Sequence, residues 1–211
     1  MHPYLTRLGV LPEVQAFFED NYHTAASGDL LFDYGDAVEH YGLAFHKVPV
    51  SNQCWLAGNV SLPQVRQVMV CSSAMEAISW LNKKFNWLPR PDNFLFMAVG
   101  TQVNAGHIAR IRQVLSNKDF NFLLGSDLLA QVTALKLSAG IRRLPVAVFL
   151  LPEEKLKVVF RAQTFLFSQD KFSLNAFEKA SGFRFGFPVL KPKQHLSFFD
   201  ELQALSGLSK S

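Results

Sequence analysis

"FNFLLGSDLLAQVTALKLSAG" covers residues 120–140 and contains two structural patterns in direct succession. Phe120 to Leu124 is a short apolar run, typical of a strand that is buried on both faces. Apolar side chains then recur at helical spacing over 127–139, and Gly140 is a suitable helix end. A buried strand that passes directly into a helix predicts a parallel sheet covered by helices.

The same strand-then-helix order occurs twice more upstream. "QVMVC" precedes the helical pattern "SAMEAISWLNKKF", and "NFLFMAVG" precedes "NAGHIARIRQVLS". The predicted strands are 67–71, 93–98 and 120–124, and the predicted crossover helices are 73–84, 104–116 and 127–139. "PVAVFLL" (145–151) is a candidate for a fourth strand of this sheet. The fold class is therefore α/β, with a parallel-sheet core and helices on both faces.

The chain divides into a small unit and a core domain. "LPEVQAFFEDNY" (11–22) predicts a short helix with Pro12 in its first turn, and three β-prone runs within 29–58 predict a small antiparallel sheet. We expect residues 1–60 to form this α+β unit, packed on an α/β domain over 61–211. That domain is expected to have an irregular insertion at about 151–190 and a final helix after Ser197.

The composition limits the class of protein. Hydrophobic residues make up 49% of the 211 residues and charged residues 18%, which is enough apolar surface for one sizeable core. No apolar run reaches the roughly 18 residues needed to span a bilayer, so we expect a cytoplasmic protein without a membrane partner. Cys54 and Cys71 belong to no Cys-x-x-Cys pair and are expected to be buried, inert thiols.

The charge is distributed unevenly along the sequence. Residues 1–105 carry 6 basic and 9 acidic side chains, whereas residues 106–211 carry 15 basic and 8 acidic ones. A net charge of +7 on the second half is compatible with a surface for DNA or RNA, and equally with a solvated basic face. The candidate nucleic-acid-binding residues are Arg110, Arg112, Arg142, Arg143, Lys191 and Lys193.

The carboxyl ends of the predicted strands are where a ligand is expected. Ligands of open parallel sheets bind where strands give way to helices. The three junctions are Cys71–Ser73, Val99–Thr101 and Gly125–Asp127. Asp127 is the only carboxylate among these junction residues.

At these junctions the sequence resembles the toprim family, the metal-binding domain of DNA primases, topoisomerases and related nucleases. It is most similar to primase-like toprim proteins of bacterial mobile elements. The first family motif, Glu-Ser-x-x-Asp-Ala-Leu-Ser, corresponds to "SSAMEAIS" (72–79). The second, a strand ending Asp-x-Asp-x-x-Gly, corresponds to "GSDLLA" (125–130). "FLFMAVGT" resembles the strand between the motifs, and "LSFFDEL" (196–202) occupies the place of a late acidic motif.

The resemblance implies that most of the family's acidic positions have been replaced. Ser72 stands at the position of the catalytic glutamate, and Gly125 at that of the first metal-binding aspartate. Asp127 stands at the position of the second metal-binding aspartate. Glu76 matches an acidic position on the helix after the first motif, and Ser197 stands at the position of the late aspartate. The resemblance marks these five residues as vestigial site positions, and we assign no catalytic residue among them.

Two functional classes follow from the resemblance. Magnesium needs oxygen ligands that include carboxylates, and serine or glycine cannot replace their charge in phosphoryl transfer. We therefore expect a non-catalytic module without a cofactor that associates with DNA, RNA or a protein partner. The alternative is a metal-dependent nucleotidyl transferase or nuclease that binds Mg²⁺ or Mn²⁺ through Glu76 and Asp127.

Other polar residues have simpler interpretations. Ser72 and Ser73 are expected to cap the helix that follows them, and the backbone N–H groups that open this helix are a candidate phosphate site. His40 and His46 are six residues apart, which places them on one face if their strand is continuous. Asp33, Asp36 and Glu39 lie nearby in the sequence, yet structural histidines are the favoured interpretation over a metal site.

Overall fold

The computed structural model describes residues 1–42, 45–88, 90–114 and 118–207. Within these residues the chain forms seven α-helices and eleven strands. The helices are α1 (Pro3–Arg7), α2 (Pro12–Phe17), α3 (Ala74–Lys84), α4 (Ala105–Val114), α5 (Leu128–Ile141), α6 (Leu174–Ser181) and α7 (Phe198–Leu205). The strands are β1 (His23–Thr24), β2 (Leu30–Asp33), β3 (Val38–Tyr41), β4 (His46–Lys47), β5 (Trp55–Gly58), β6 (Gln67–Cys71), β7 (Phe94–Ala98), β8 (Asp119–Leu123), β9 (Val146–Leu151), β10 (Lys155–Phe160) and β11 (Gln163–Ser168).

A four-stranded mixed sheet in the order β5-β7-β6-β8 forms the core. Strand β6 pairs in parallel with β7 on one side and with β8 on the other. The α/β fold class and the three predicted parallel strands are confirmed, with bounds that agree to within one residue. Helices α3 and α5 begin within one residue of their predicted starts, as does α4, whose predicted last residues, 115 and 116, lie outside the described part of the chain.

Helices cover both faces of this sheet. Met69 and Cys71 of β6 point into a cluster with α3, α7 and the N-terminal elements, whereas Val68 and Val70 point into a cluster with α4 and α5. Every residue of β7 is buried. This two-sided burial explains why the strands are continuous apolar runs rather than alternating ones.

The N-terminal unit packs on the α3 face of the core. Strands β1 to β4 form an antiparallel sheet in chain order, and its residues Phe32 and Tyr41 share a core cluster with α3. The predicted helix after Leu11 is confirmed, with Pro12 in its first position. The predicted third strand of the unit was wrong, because β5 pairs antiparallel with β7 and closes one edge of the core sheet.

The expected fourth parallel strand also has a different partner. Strand β9 belongs to a separate antiparallel sheet in the order β11-β10-β9. A turn at 152–154 joins β9 to β10 and a turn at 161–162 joins β10 to β11, and such short turns connect antiparallel strands. Much of the predicted insertion is thus regular, since β10, β11 and α6 all lie within 151–190.

The last segment returns along the core sheet. Val189 bridges Phe122 in parallel, and the chain then continues past Lys191 to α7, which packs against α3. The final helix and its Ser197 cap, both predicted, are confirmed. Among the described helices, none combines the length and apolar character needed to cross a membrane.

Candidate functional site

The carboxyl ends of β6, β7 and β8 open into a cleft of about 280 Å³. All five vestigial positions line this cleft: Ser72, Glu76, Gly125, Asp127 and Ser197. Parallel strands end at the same side of a sheet, which brings Ser72, Gly125 and Asp127 together, and the packing of α7 on α3 adds Ser197. The N-terminal unit adds the side chains of Tyr41 and His46 to the wall.

Ser73 caps helix α3, as the sequence predicts. Its Oγ accepts a hydrogen bond from the N–H of Glu76 at 3.1 Å. Ser72 lies one residue earlier, and its N–H donates to the carbonyl of Leu123 at 3.1 Å, which joins β6 to β8. The capping interpretation therefore holds for Ser73, while Ser72 presents its side chain to the cleft.

The first backbone N–H groups of α3 are occupied by a buried glutamate from the N-terminal unit. Glu39 of β3 accepts hydrogen bonds from the N–H of Ala74 at 2.9 Å and of Met75 at 3.3 Å. The hydroxyl of Tyr34 donates to the same carboxylate at 2.6 Å. Burial raises the pKa of Glu39, and these hydrogen bonds offset part of that effect. The candidate phosphate site at this helix start is thus filled by a protein carboxylate.

Glu76 performs the same role for α7. Its two carboxylate oxygens accept hydrogen bonds from the N–H groups of Phe198, at 3.1 Å, and Phe199, at 2.8 Å. Burial raises its pKa to about 7, although these two N–H donors oppose the shift, and the charge of Asp200 adds to it. An ion pair of 2.6 Å between Lys83 and Glu201 further links α3 to α7.

Together, the two glutamates form a chain of helix caps. Glu39 of the N-terminal unit binds the start of α3, and Glu76 in the first turn of α3 binds the start of α7. Because a helix start carries partial positive charge, each buried carboxylate has a compensating partner. This role was not predicted from the sequence, where Glu39 was noted only as an acidic residue near His40. In β3 Glu39 is buried and Val38 is exposed, the reverse of what their side chains predict, so no local pattern in the sequence indicates that Glu39 points inward.

Asp127 is a third helix cap, on the rim of the cleft. Its Oδ1 accepts a hydrogen bond from the N–H of Ala130 at 2.7 Å, and the residue is exposed. Glu76 and Asp127, the two carboxylates that the resemblance selects, therefore both accept hydrogen bonds from helix starts.

Gly125 has a backbone conformation that disfavours an aspartate. Its φ is +91°, and a Cβ built there would lie 3.0 Å from the carbonyl oxygen of Leu196. That carbonyl is held in place by the N–H of Ser126 at 2.8 Å. The tight strand-to-helix turn in this chain thus depends on glycine at the position where the resemblance implies a metal ligand.

The structure does not bring metal ligands together elsewhere in its described part. There, no group of three or more histidine, cysteine, aspartate or glutamate side chains could hold an ion. His40 pairs with Asp29 at 2.9 Å, and His46 stacks on Tyr41 with ring centroids 5.6 Å apart. His40 and His46 lie on opposite faces, because they belong to two paired strands rather than to one continuous strand. Tyr41 pairs directly with His46, and neighbouring residues of β3 point to opposite faces.

The two cysteines are free thiols. Cys71 is buried and Cys54 is half-buried. Burial raises the pKa of Cys54 to about 11, and it raises that of Cys71 well above its usual value. Both thiols are therefore protonated at neutral pH. The predicted burial is confirmed for Cys71, whereas Cys54 is only partly buried.

The six candidate basic residues do not form one surface. Arg112 and Arg143 line the same shallow groove at the carboxyl ends of α4 and α5, and Arg110 lines an adjoining groove that shares Gln113 with it. The guanidinium group of Arg142 donates to the carbonyl of Phe185 at 2.8 and 3.1 Å. Lys191 and Lys193 are exposed on the segment between Val189 and α7.

The cleft itself has acidic rather than basic polar groups. The described residues that line it include Glu76, Asp127 and Asp200, and no lysine or arginine. The groove of Arg112 and Arg143 lies near the amino ends of the parallel strands, opposite the cleft at their carboxyl ends, because crossover helices run in the direction opposite to the strands. A phosphate-binding surface would thus be separate from the cleft.

Comparison of the sequence with models of known protein families finds no match, and neither does comparison with the curated proteins.

Proposed function

We propose that this chain is a toprim-like module that does not perform metal-dependent phosphoryl transfer and acts by binding a nucleic acid or a protein partner. One observation carries the proposal. The two retained carboxylates of the strand-end cleft, Glu76 and Asp127, bind backbone N–H groups at the starts of α7 and α5. A carboxylate used in this way has fewer lone pairs for an ion, and Glu76 is also almost fully buried.

The position of the cleft supports the family resemblance. The five residues that the resemblance selects from 126 residues of sequence all line one cleft at the ends of the parallel strands. The glycine turn at 125 gives a structural reason for the missing acid. A metal-dependent reaction would need closely spaced carboxylates to stabilise the charge that develops on phosphorus oxygens.

The charge of the second half of the chain supports nucleic acid as the partner. Arg112 and Arg143 lie together, away from the acidic cleft. We expect binding that is weak, largely independent of sequence and sensitive to salt, because it would depend on phosphate contacts.

The first test is titration calorimetry of the protein with Mg²⁺ and with Mn²⁺. We expect no tight binding, and no change when Asp127 is replaced by asparagine. Tight binding that disappears in Asp127→Asn would overturn the proposal and favour the metal-dependent enzyme, which an assay for nuclease and primer synthesis would then identify.

The second test measures binding of single-stranded DNA, duplex DNA and RNA at two salt concentrations. Binding that weakens steeply at the higher concentration supports a nucleic-acid partner. No detectable binding to any of the three at low salt would reject the nucleic-acid partner and leave a protein as the partner.

A further inference from the structure

Strand β9 has an open edge. It is the terminal strand in the order β11-β10-β9, and within the described residues no other element shares a backbone hydrogen bond with it. All six of its residues are apolar: Val146, Ala147, Val148, Phe149, Leu150 and Leu151. Phe149 is 50% exposed and Leu150 is 69% exposed.

An edge of this kind is unusual for a strand that remains unpaired. Proteins usually protect sheet edges with charged side chains, an internal proline or a bulge. Strand β9 has no charge and no internal proline, and its six residues pair with β10 without a bulge. The opposite edge, β11, is more polar, since it includes Gln163, Thr164 and Ser168. Pairing with another strand would therefore bury more apolar surface at β9 than at β11.

The charges beside β9 indicate which partner would fit. Arg142 and Arg143 precede the strand, and Glu153 and Glu154 follow it. If two copies of β9 pair in antiparallel orientation, the basic end of each lies beside the acidic end of the other. A parallel pair would place like charges together at both ends, which is unfavourable. The strand and its flanks are thus complementary to a second copy of themselves.

We propose that two copies of this chain associate through antiparallel pairing of their β9 strands, which joins the two small sheets into one of six strands. A two-fold axis perpendicular to the sheet relates the copies, so that equivalent faces are continuous. Residues opposite one another must then point to the same face, which places the axis at Val148 or Phe149. With either centre, the turn of Arg142 and Arg143 before β9 of one copy lies near the turn of Glu153 and Glu154 after β9 of the other.

The oligomeric state tests this proposal. Sedimentation velocity over roughly 1 to 100 µM protein should show a dimer whose population rises with concentration. Leu150→Lys places a charge on the open edge and should weaken dimerisation about tenfold or more. The matched control is Leu166→Lys, on the opposite edge of the same sheet, where the leucine is 65% exposed. This control should leave the dimer unchanged.

A charge exchange tests the orientation of the two strands. Arg143→Glu and Glu154→Arg should each weaken the dimer, because each places like charges beside one another across the pair. The double variant restores opposite charges and should recover most of the affinity. Both positions are at the surface, so circular dichroism is expected to show a folded protein in each case.

Three outcomes would overturn the proposal. A monomer at every concentration would exclude this interface. Loss of the dimer in Leu166→Lys but not in Leu150→Lys would assign it to β11. Larger open-ended assemblies, rather than a closed dimer, would contradict the two-fold arrangement.

Discussion

Glu76 is a buried carboxylate whose partners are the backbone N–H groups of α7. Burial outweighs these donors and raises its pKa to about 7 in the folded protein. A carboxyl group with a raised folded pKa contributes stability while it is protonated. That contribution is present below its unfolded pKa, near 4.5, and is lost as the pH rises through about 7.

We expect the variant Glu76→Gln to remove this pH dependence. The free energy of unfolding of the unmodified protein, relative to that of Glu76→Gln, should fall by about 3 kcal/mol between pH 4.5 and pH 8. Urea denaturation at several pH values measures this difference, in which the contributions of the other titrating groups largely cancel. Asp200→Asn is the companion variant, and it should move the fall to lower pH by removing a neighbouring negative charge. A difference that rises with pH would show that the N–H bonds outweigh burial.

Gly125 allows a comparison of two glycines with left-handed backbones. Gly182 has a φ of +67° and open space around a built Cβ, so Gly182→Ala should cost about 1 kcal/mol through its φ alone. Gly125→Ala adds a close approach to the carbonyl oxygen of Leu196, and we expect a cost of about 2 kcal/mol or more. Chemical denaturation of both variants measures the two losses of unfolding free energy. Equal losses would mean that the segment carrying Leu196 shifts to make room for the added Cβ.

The same geometry affects any attempt to introduce a metal site at this turn. An aspartate at position 125 would be destabilised by the positive φ and by the contact of its Cβ with the Leu196 carbonyl, as an alanine would. It would also bring a negative charge towards that carbonyl oxygen. The double variant Ser72→Glu, Gly125→Asp is therefore expected to be less stable than Ser72→Glu alone. Calorimetry of both with Mg²⁺ would show whether the added carboxylates bind the ion. Tight Mg²⁺ binding by the double variant at undiminished stability would mean that the turn accepts an aspartate.

At the scale of elements, helix α3 depends on a residue that is distant in sequence. Glu39 of β3 caps α3 and also accepts a hydrogen bond from the hydroxyl of Tyr34. This contact ties the N-terminal antiparallel sheet to the core domain. The two parts are consequently expected to unfold together rather than separately.

We expect Glu39→Ala to destabilise the protein by about 3–5 kcal/mol, because it leaves three buried donors without their acceptor. The control is Asp127→Ala, which removes an exposed cap and should cost about 1 kcal/mol. Chemical denaturation measures both, and hydrogen exchange should show lost protection in the first turn of α3. A smaller effect for Glu39→Ala than for the control would contradict the capping role.

In the whole molecule, the acidic cleft lies at the carboxyl ends of the parallel strands, and the groove of Arg112 and Arg143 lies near their amino ends. A nucleic acid bound in this groove would leave the cleft open. The two surfaces can thus be tested separately.

We expect Arg112→Gln to reduce the salt dependence of nucleic-acid binding by nearly one unit of slope, and the double variant with Arg143→Gln by nearly two. Fluorescence anisotropy over a range of salt concentrations measures these slopes. Arg112 lies outside β9, so its single substitution separates this effect from dimerisation. The control pair Lys191→Gln, Lys193→Gln should leave the slope unchanged, and a larger effect of that pair would assign the binding surface to the segment before α7.

Local patterns in the sequence determined the parallel core. The apolar runs at 67–71 and 120–124 and the helical spacing after each are sufficient to predict β6, β8 and their helices, because burial on both faces requires continuous apolar strands. The meeting of Ser72, Gly125 and Asp127 at one edge follows from that topology. The Ser73 and Ser197 caps were predictable as well, since a serine before a helical run has a specific local role.

Strand pairing and the partners of the buried acids depend on contacts between residues that are distant in sequence. "QCWLAG" and "PVAVFLL" are both plausible strands, and their composition does not encode whether the neighbour is β7 or β10. In sequence, Glu39 and Glu76 look like ordinary surface glutamates, because their partners are backbone N–H groups 35 and 122 residues away. Backbone donors have no sequence signature, so the caps that join the N-terminal unit, α3 and α7 appear only once the chain has folded.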